Sequence, residues 1–181
     1  DGLEKRIKHA RSLSEPIEEL GTDIVQLLKK GIGNTDTFLI YRDKEGNKTH
    51  LNYREFYDSV LDAARFFQSK DLQAGDKIAT ISHNHWHTVV QYFAAWFCGL
   101  VVVPVNLSED DQRIEYILKN AEVKIALVRD LYVSRIKEII ESSSELSGMK
   151  LVECGKSTDS FSSKTGDLKE RDFDSETDAL I

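Results

Sequence analysis

The feature that most constrains this chain is a repeated switch between short apolar runs and helical periodicity across residues 77–152. Lys77-Ile78-Ala79-Thr80-Ile81 reads as a short strand. A helix is expected from His85 to Cys98, capped by Asn84 and ended by Gly99 in the C′ position. Leu100-Val101-Val102-Val103 is apolar throughout, as in a strand buried on both faces, and Pro104 stops it. Ser108 is expected to cap a helix over residues 109–120, with Asp111 at the capping-box position. Lys124-Ile125-Ala126-Leu127-Val128 is the next strand. Asp130 opens a helix that turns Val133, Ile136, Ile139 and Ile140 inward, and Met149-Lys150-Leu151-Val152 is the strand after it. Strands joined through helices run parallel, so this order predicts an α/β fold: a largely parallel sheet with flanking helices. Such sheets hold ligands outside the carboxyl ends of their strands. The loops after Ile81, Val103, Val128 and Val152 are therefore where chemistry is expected.

The flanking sequence adds a hairpin and a helical lead. Residues 3–30 are polar, with Ile17, Leu20, Ile24, Leu27 and Leu28 at helical spacing and Pro16 suited to a first turn. Residues 37–51 form a β-hairpin pattern, with turn chemistry at Asp43-Lys44-Glu45-Gly46-Asn47. Over residues 53–69 the apolar positions Tyr53, Phe56, Tyr57, Val60, Leu61, Ala64, Phe66 and Phe67 predict a helix with a broad buried face. Asn52 is placed to cap it and Glu55 to complete a capping box. That aromatic face reads as core packing rather than a cofactor platform. The organisation expected is a helical segment at 1–34, an α/β portion at 35–152, a polar linker at 153–178 and the opening of a further strand at 179–181, cut short.

Charge and cysteine usage exclude several classes. The net charge of −7 repels a phosphate backbone, so nucleic acid is not expected as a partner, and Lys29-Lys30 reads as solvated surface. Cys98 and Cys154 have no paired spacing, which argues against a zinc site or a disulfide framework and for a reducing cytoplasm. Cys98 lies in an apolar helical run and reads as a small buried filler. The longest apolar stretch, Val89 to Val105, is broken by Gln91, Gly99 and Pro104, so no transmembrane segment is expected. Asp1 to Arg6 is charged and lacks the apolar core of a signal peptide.

His83, His85 and His87 could share a metal in a strand, where all three would lie on one face. The competing reading is a polar loop entering a helix, with His85 and His87 in a first turn, unable to face one ion jointly. No cysteine or carboxylate stands at ligand spacing, and no metal is expected. Gly31-Ile32-Gly33 reads as a turn, since it lacks the third glycine and the preceding strand of a phosphate loop. No nucleophile elbow is present.

Three stretches in order carry a family resemblance. Leu51-Asn52-Tyr53-Arg54-Glu55-Phe56 resembles the Leu-Thr-Tyr-x-Glu-Leu helix entry of the adenylate-forming, or AMP-binding, superfamily. That superfamily comprises acyl-CoA synthetases, peptide-synthetase adenylation domains and firefly luciferases. Gly75-Asp76-Lys77-Ile78-Ala79 followed by Asn84 is similar to its Gly-Asp-x-Val-Ala…Asn strand and cap. The run from Ala94 to Asn106 resembles its Ala-x-x-x-Gly-x-x-x-Val-Pro-Leu-Asn segment. Asn52 departs from the usual Thr or Ser but keeps the capping oxygen, and His87 stands where the family often has Glu. The family's Ser/Thr/Gly-rich loop ending in Pro-Lys-Gly, which cradles ATP phosphates, would be expected directly after Asp178-Ala179-Leu180-Ile181.

The resemblance implies the N-terminal portion of the large domain of an acyl-CoA ligase. Such an enzyme activates a carboxylic acid, here of the fatty class, with ATP and Mg2+ as an acyl-adenylate, and transfers it to coenzyme A. No catalytic residue falls in this chain, so by itself it is expected to be inactive. Pro104, Asn106, Arg129 and Arg135, at strand carboxyl ends, are the coenzyme A-path candidates, with either arginine on a phosphate; the competing reading of the arginines is solvated surface. The implied partners are a small-molecule carboxylate and the remainder of the same polypeptide; a homo-oligomer is left open. Two alternatives stand: an amino-acid-activating adenylation domain, or a non-catalytic α/β module for protein interaction.

Overall fold

The computed structural model describes residues 24–155 and Leu168. Helix α1, Ile24–Lys30, leads into an antiparallel hairpin of β1, Thr37–Arg42, and β2, Lys48–Asn52. The hairpin turns where the Asp43 carboxylate accepts from the Asn47 backbone N–H at 2.7 Å and from its side-chain amide at 2.8 Å. Helix α2, Tyr53–Gln68, follows at once. Its start is the expected capping box: Glu55 N–H donates to Asn52 Oδ1, and Asn52 N–H donates to Glu55 Oε2, both at 2.9 Å. Two of the donors a helix start leaves open are thereby satisfied.

The alternation then runs β3 Lys77–Ile81, α3 Trp86–Phe97, β4 Val101–Pro104, α4 Asp111–Asn120, β5 Val123–Arg129, a 3-10 turn Asp130–Tyr132, α5 Val133–Ser142 and β6 Lys150–Cys154. The four strands form one parallel sheet in the order β4-β3-β5-β6. The first crossover moves to one side of β3 and the second moves to the other. The direction therefore reverses between β3 and β5, a switch point of the kind at whose carboxyl ends open α/β sheets bind ligands.

Successive strand residues face opposite sides. Ile78, Val102, Ile125 and Leu127 pack with Phe56, Val60 and Phe67 of α2, Val90 and Ala94 of α3, and Val25 and Leu28 of α1. Ala79, Ile81, Val103, Ala126 and Val128 pack on the other side with Ile114 and Leu118 of α4 and Ile136 and Ile139 of α5. Layers on both faces are the α/β arrangement expected. Gly99 ends α3 at φ 75°, with Gly99 N–H on Trp96 O at 3.0 Å and Leu100 N–H on Ala95 O at 2.9 Å. That pair of bonds is a Schellman motif, and its left-handed residue favours glycine. Cys98 is buried beside Ala64 O, 3.5 Å from its sulfur. No helix among the described residues is long and apolar enough to cross a membrane.

Several boundaries differ from the sequence reading, each for a local reason. Helix α3 is capped by His85, one residue later than Asn84, because the His85 imidazole itself accepts a backbone N–H. Helix α4 is capped by Asp110, whose Oδ1 accepts from Arg113 N–H at 2.8 Å; Ser108 is instead tied to Asn106. Asp130 opens a 3-10 turn before the α-helix, and its carboxylate accepts from the next residue, Leu131. Strand β6 continues to Cys154, because Glu153 and Cys154 still pair with Val128 and Arg129. Helix α1 is rotated from the expected face: Val25 and Leu28 are buried, while Ile24 and Leu27 are exposed. The expected positions Pro16, Ile17 and Leu20, the rest of the 153–178 linker apart from Leu168, and the stub 179–181 lie outside the described residues. Leu168 packs against the core on the α2–α3 side.

Candidate functional site

A cleft of about 870 Å³ lies at the carboxyl ends of β3 and β4. One wall is the loop Ser82-His83-Asn84-His85 with the first turns of α3, including Trp86 and Tyr92. A second is Pro104 to Leu107, and Tyr132 closes the β5 side. The hairpin supplies the remaining wall through Leu39, Ile40 and Tyr41. None of these lining residues carries a carboxylate, a lysine or an arginine. The cleft is thus aromatic and amide-rich, suited to an organic group with a few hydrogen-bonding atoms. It offers no acidic oxygens to a magnesium ion.

The β3–β4 register sets the floor. Thr80 lies opposite Pro104, and Val105 N–H donates to Thr80 O at 3.0 Å. Pro104 has no N–H to give, which β4 tolerates as an outer strand of the described sheet. Asn106 Oδ1 accepts from Ser108 N–H at 3.1 Å and from its hydroxyl at 2.8 Å, which shapes the turn leaving the strand. Two of the four expected path residues, Pro104 and Asn106, therefore meet in one cleft.

The histidines form a connected aromatic group. His85 is extended at φ −151° and ψ 146°, and its Nδ1 accepts from His87 N–H at 3.2 Å. This folds the His85 ring back to 4.4 Å from the His87 ring. Tyr41 of the hairpin packs 4.6 Å from His85, and His83 lies between His85 at 6.1 Å and Tyr132 at 6.3 Å. Among the described residues no group of three or more His, Cys, Asp or Glu side chains is arranged to hold a metal ion. Burial, with His85 and Arg129 nearby, pushes His87 down to about 3. Burial and the Arg129 charge push His85 down to about 4, and the same two causes lower His83. The three imidazoles are therefore neutral near pH 7.

Neither arginine is a solvated surface group. Arg135 is fully engaged: Nε donates to Asp111 Oδ1 at 2.7 Å, and the two terminal nitrogens donate to Leu107 O at 3.0 Å and Glu109 O at 2.6 Å. It pins the β4–α4 loop to α5. Arg129 ends β5 opposite Cys154 and is 7% exposed. Among the described residues its Nε is buried without a hydrogen-bond partner, and Asp130 Oδ1 forms an ion pair with it at 3.8 Å. Burial pushes the neighbouring Cys154 thiol up to about 12, so it is an inert thiol. Sequence reasoning missed Tyr41 and Tyr132, because only the fold brings the hairpin and the 3-10 turn beside the β3 loop. The signal for Tyr41 was present in its alternation with Leu39 along β1.

Residues 33–179 match the family of the AMP-binding enzyme. That span contains every strand of the sheet and every lining residue of the cleft. This chain belongs to the AMP-binding enzyme family. It is 32% identical over 100 residues to the long-chain-fatty-acid–CoA ligase of Bacillus subtilis (strain 168), covering 54% of this chain and 18% of that protein. It is 26% identical over 103 residues to 4-hydroxybutyrate–CoA ligase 2 of Metallosphaera sedula, covering 57% of this chain and again 18% of the relative. The chain thus spans 18% of the length of each of these curated relatives. The crystal structure of ATP-bound MatB from Rhodopseudomonas palustris superposes with a TM-score of 0.66 at 21% identity, over 88% of this chain and 31% of that one. The AMP-binding family fold therefore accounts for the parallel sheet and its flanking helices.

Proposed function

We propose that this chain is the scaffold-bearing N-terminal part of an ATP-dependent acid–coenzyme A ligase. The observation that carries this reading is the family match over residues 33–179, which takes in the whole cleft. The substrate class is a carboxylic acid, and the fatty class is favoured by the 32% identity to a long-chain-fatty-acid–CoA ligase. Such an enzyme joins the acid to AMP from ATP, releases pyrophosphate, and passes the acyl group to the thiol of coenzyme A. Magnesium, ATP and their catalytic side chains belong to parts of the enzyme other than this cleft.

The described residues support the thiol path. Pro104 and Asn106 form its floor, between aromatic walls at Trp86, Tyr92 and Tyr132. Arg135 holds the loop that carries Asn106, and Arg129, ion-paired with Asp130 at 3.8 Å but with no hydrogen bond to its Nε, is the candidate cation for a phosphate. The cytoplasm is the proposed compartment.

The test is thioester synthesis by the polypeptide that contains residues 1–181 together with the rest of a ligase. AMP release that needs both a fatty acid and coenzyme A is expected. Release driven by an amino acid without coenzyme A would assign the chain to an amino-acid-activating adenylation domain instead. Residues 1–181 alone are expected to give no ATP–pyrophosphate exchange. Exchange with any carboxylate would show that the reaction centre lies within them.

A further inference from the structure

The cleft wall at the start of α3 is built around His85. Its Nδ1 accepts the His87 backbone N–H at 3.2 Å, the bond that caps the helix. A neutral imidazole holds one ring proton, and the nitrogen that accepts cannot carry it. The cap therefore places the proton on Nε2, at the far edge of the ring. Burial and the Arg129 charge push His85 down to about 4, so the ring is neutral near pH 7. The ring is also held in place, with Tyr41 4.6 Å, His87 4.4 Å and Trp86 6.0 Å away between centroids. His85 lines the cleft. Among the described residues nothing accepts from its Nε2, and that nitrogen is not sealed from solvent. Asn106, on the Pro104–Leu107 wall, has the same polarity: its Oδ1 accepts twice from Ser108, which leaves its Nδ2 amide to donate. Both donors are uncharged. An ion entering between them would lose water without gaining a counter-charge from the lining residues. A carbonyl oxygen is the ligand atom that such donors satisfy.

We propose that His85 is a ligand-binding residue of this cleft, its tautomer set by the helix cap so that Nε2–H donates to the uncharged carbonyl oxygen of an amide. The cap and the ligand use opposite edges of one ring. An Nδ1–H tautomer would give up both bonds at once, because it leaves no acceptor for His87 N–H and no donor for the ligand. The choice of ligand rests on the thiol-path reading: the amide is one in the thiol-bearing arm of coenzyme A, which is uncharged, as the cleft lining is. The assignment of the donor rests on the cap bond alone.

The test reads the tautomer first. Long-range proton–nitrogen NMR of the 181-residue chain at pH 7 is expected to show His85 protonated on Nε2 alone. A proton on Nδ1 overturns the proposal. Titration with pantetheine, the thiol-bearing arm without its nucleotide, is expected to move the Nε2 signal saturably, and a signal that does not saturate overturns it. Two variants then separate the donor from the cap. His85→Asn keeps a capping oxygen but has no Nε2–H, whereas His85→Ala has neither. Asparagine is expected to recover the urea midpoint that alanine loses. Both are expected to bind pantetheine about fivefold more weakly than the wild type, the scale of one lost neutral hydrogen bond. Wild-type affinity in His85→Asn would make His85 a cap only and overturns the proposal. Should that variant not fold, the wild-type tautomer and titration decide the matter. AMP release enters none of these measurements, so this inference fails in the His85 signal and the proposed function fails in the ligase assay.

Discussion

Arg135 Nε and Asp111 Oδ1 lie 2.7 Å apart although 24 residues separate them in the chain. The contact ties the first turn of α4 to α5. The same guanidinium also holds the carbonyls of Leu107 and Glu109, so one side chain closes the loop that follows Asn106. Arg135→Ala is expected to lower stability by roughly 1–3 kcal/mol, the range for hydrogen bonds to a charged group, with partial exposure favouring the low end. Arg135→Lys should recover less than half, because an ammonium cannot reproduce the planar fork. Urea unfolding of the three proteins measures this. Equal midpoints for wild type and Arg135→Ala would remove the loop-holding role.

At the start of α2 the capping box isolates a second contribution. Asn52→Ala removes the oxygen that accepts Glu55 N–H and should cost about 1 kcal/mol. Asn52→Ser should fall within a few tenths of the wild type, since it restores a capping oxygen of the kind the family uses. Thermal unfolding of the pair is the measurement. A serine variant as unstable as the alanine variant would mean that the cap is not what Asn52 contributes.

Which parts of this molecule could be read in advance follows from the range of the interactions involved. The Asn52–Glu55 box, the Gly99 stop and the strands at Ile78–Ile81 and Val101–Val103 depend on neighbours within a few residues, and their side-chain types announce them. Helix starts at α3 and α4 shifted because two capping candidates competed within a few residues, and His85 and Asp110 won through hydrogen bonds that spacing does not rank. Pro104 and Asn106 were legible as cleft residues because they end a strand of a parallel sheet. The state of the arginines was not legible. Arg135 meets Leu107 and Arg129 meets Cys154 only through the packing of α5 and the β5–β6 register.

Gly31 offers a steric test of the packing between α1 and α2. A Cβ at this position would fall 2.2 Å from Tyr53 Cδ1 and 2.5 Å from Cε1. Tyr53 is itself held 4.8 Å from the Phe38 ring of the hairpin. Gly31→Ala therefore has to push the tyrosine ring off the hairpin, and a loss of roughly 1–3 kcal/mol is expected, as for overpacking elsewhere. A Cβ at Gly33, two residues on, meets nothing within 4 Å, so Gly33→Ala should be close to neutral. Equal destabilisation by the two substitutions would argue that turn flexibility, not the Tyr53 contact, sets the requirement at residue 31.

The histidine group predicts a stability that falls on the acid side of neutrality. His87 titrates at about 3 and His85 at about 4 in the folded protein, both below the ordinary value of 6.5. Between those values and 6.5 the unfolded chain takes up protons that the folded chain refuses. Stability therefore rises with pH across this window; it is complete above about pH 6.5 and declines as the pH drops toward 4 and then 3. From pH 7 to pH 5, where most carboxylates remain ionised in both states, the loss is expected to be roughly 2 kcal/mol, most of it from the buried His87. His87→Gln should flatten the dependence by about one proton, whatever it does to stability at pH 7. Urea midpoints at pH 7, 6 and 5 give the slope, and imidazole NMR signals report the ionisation directly. A His87 resonance that titrates near 6.5, or a flat wild-type profile over the same range, would mean that the ring is not held neutral beneath Trp86 and His85.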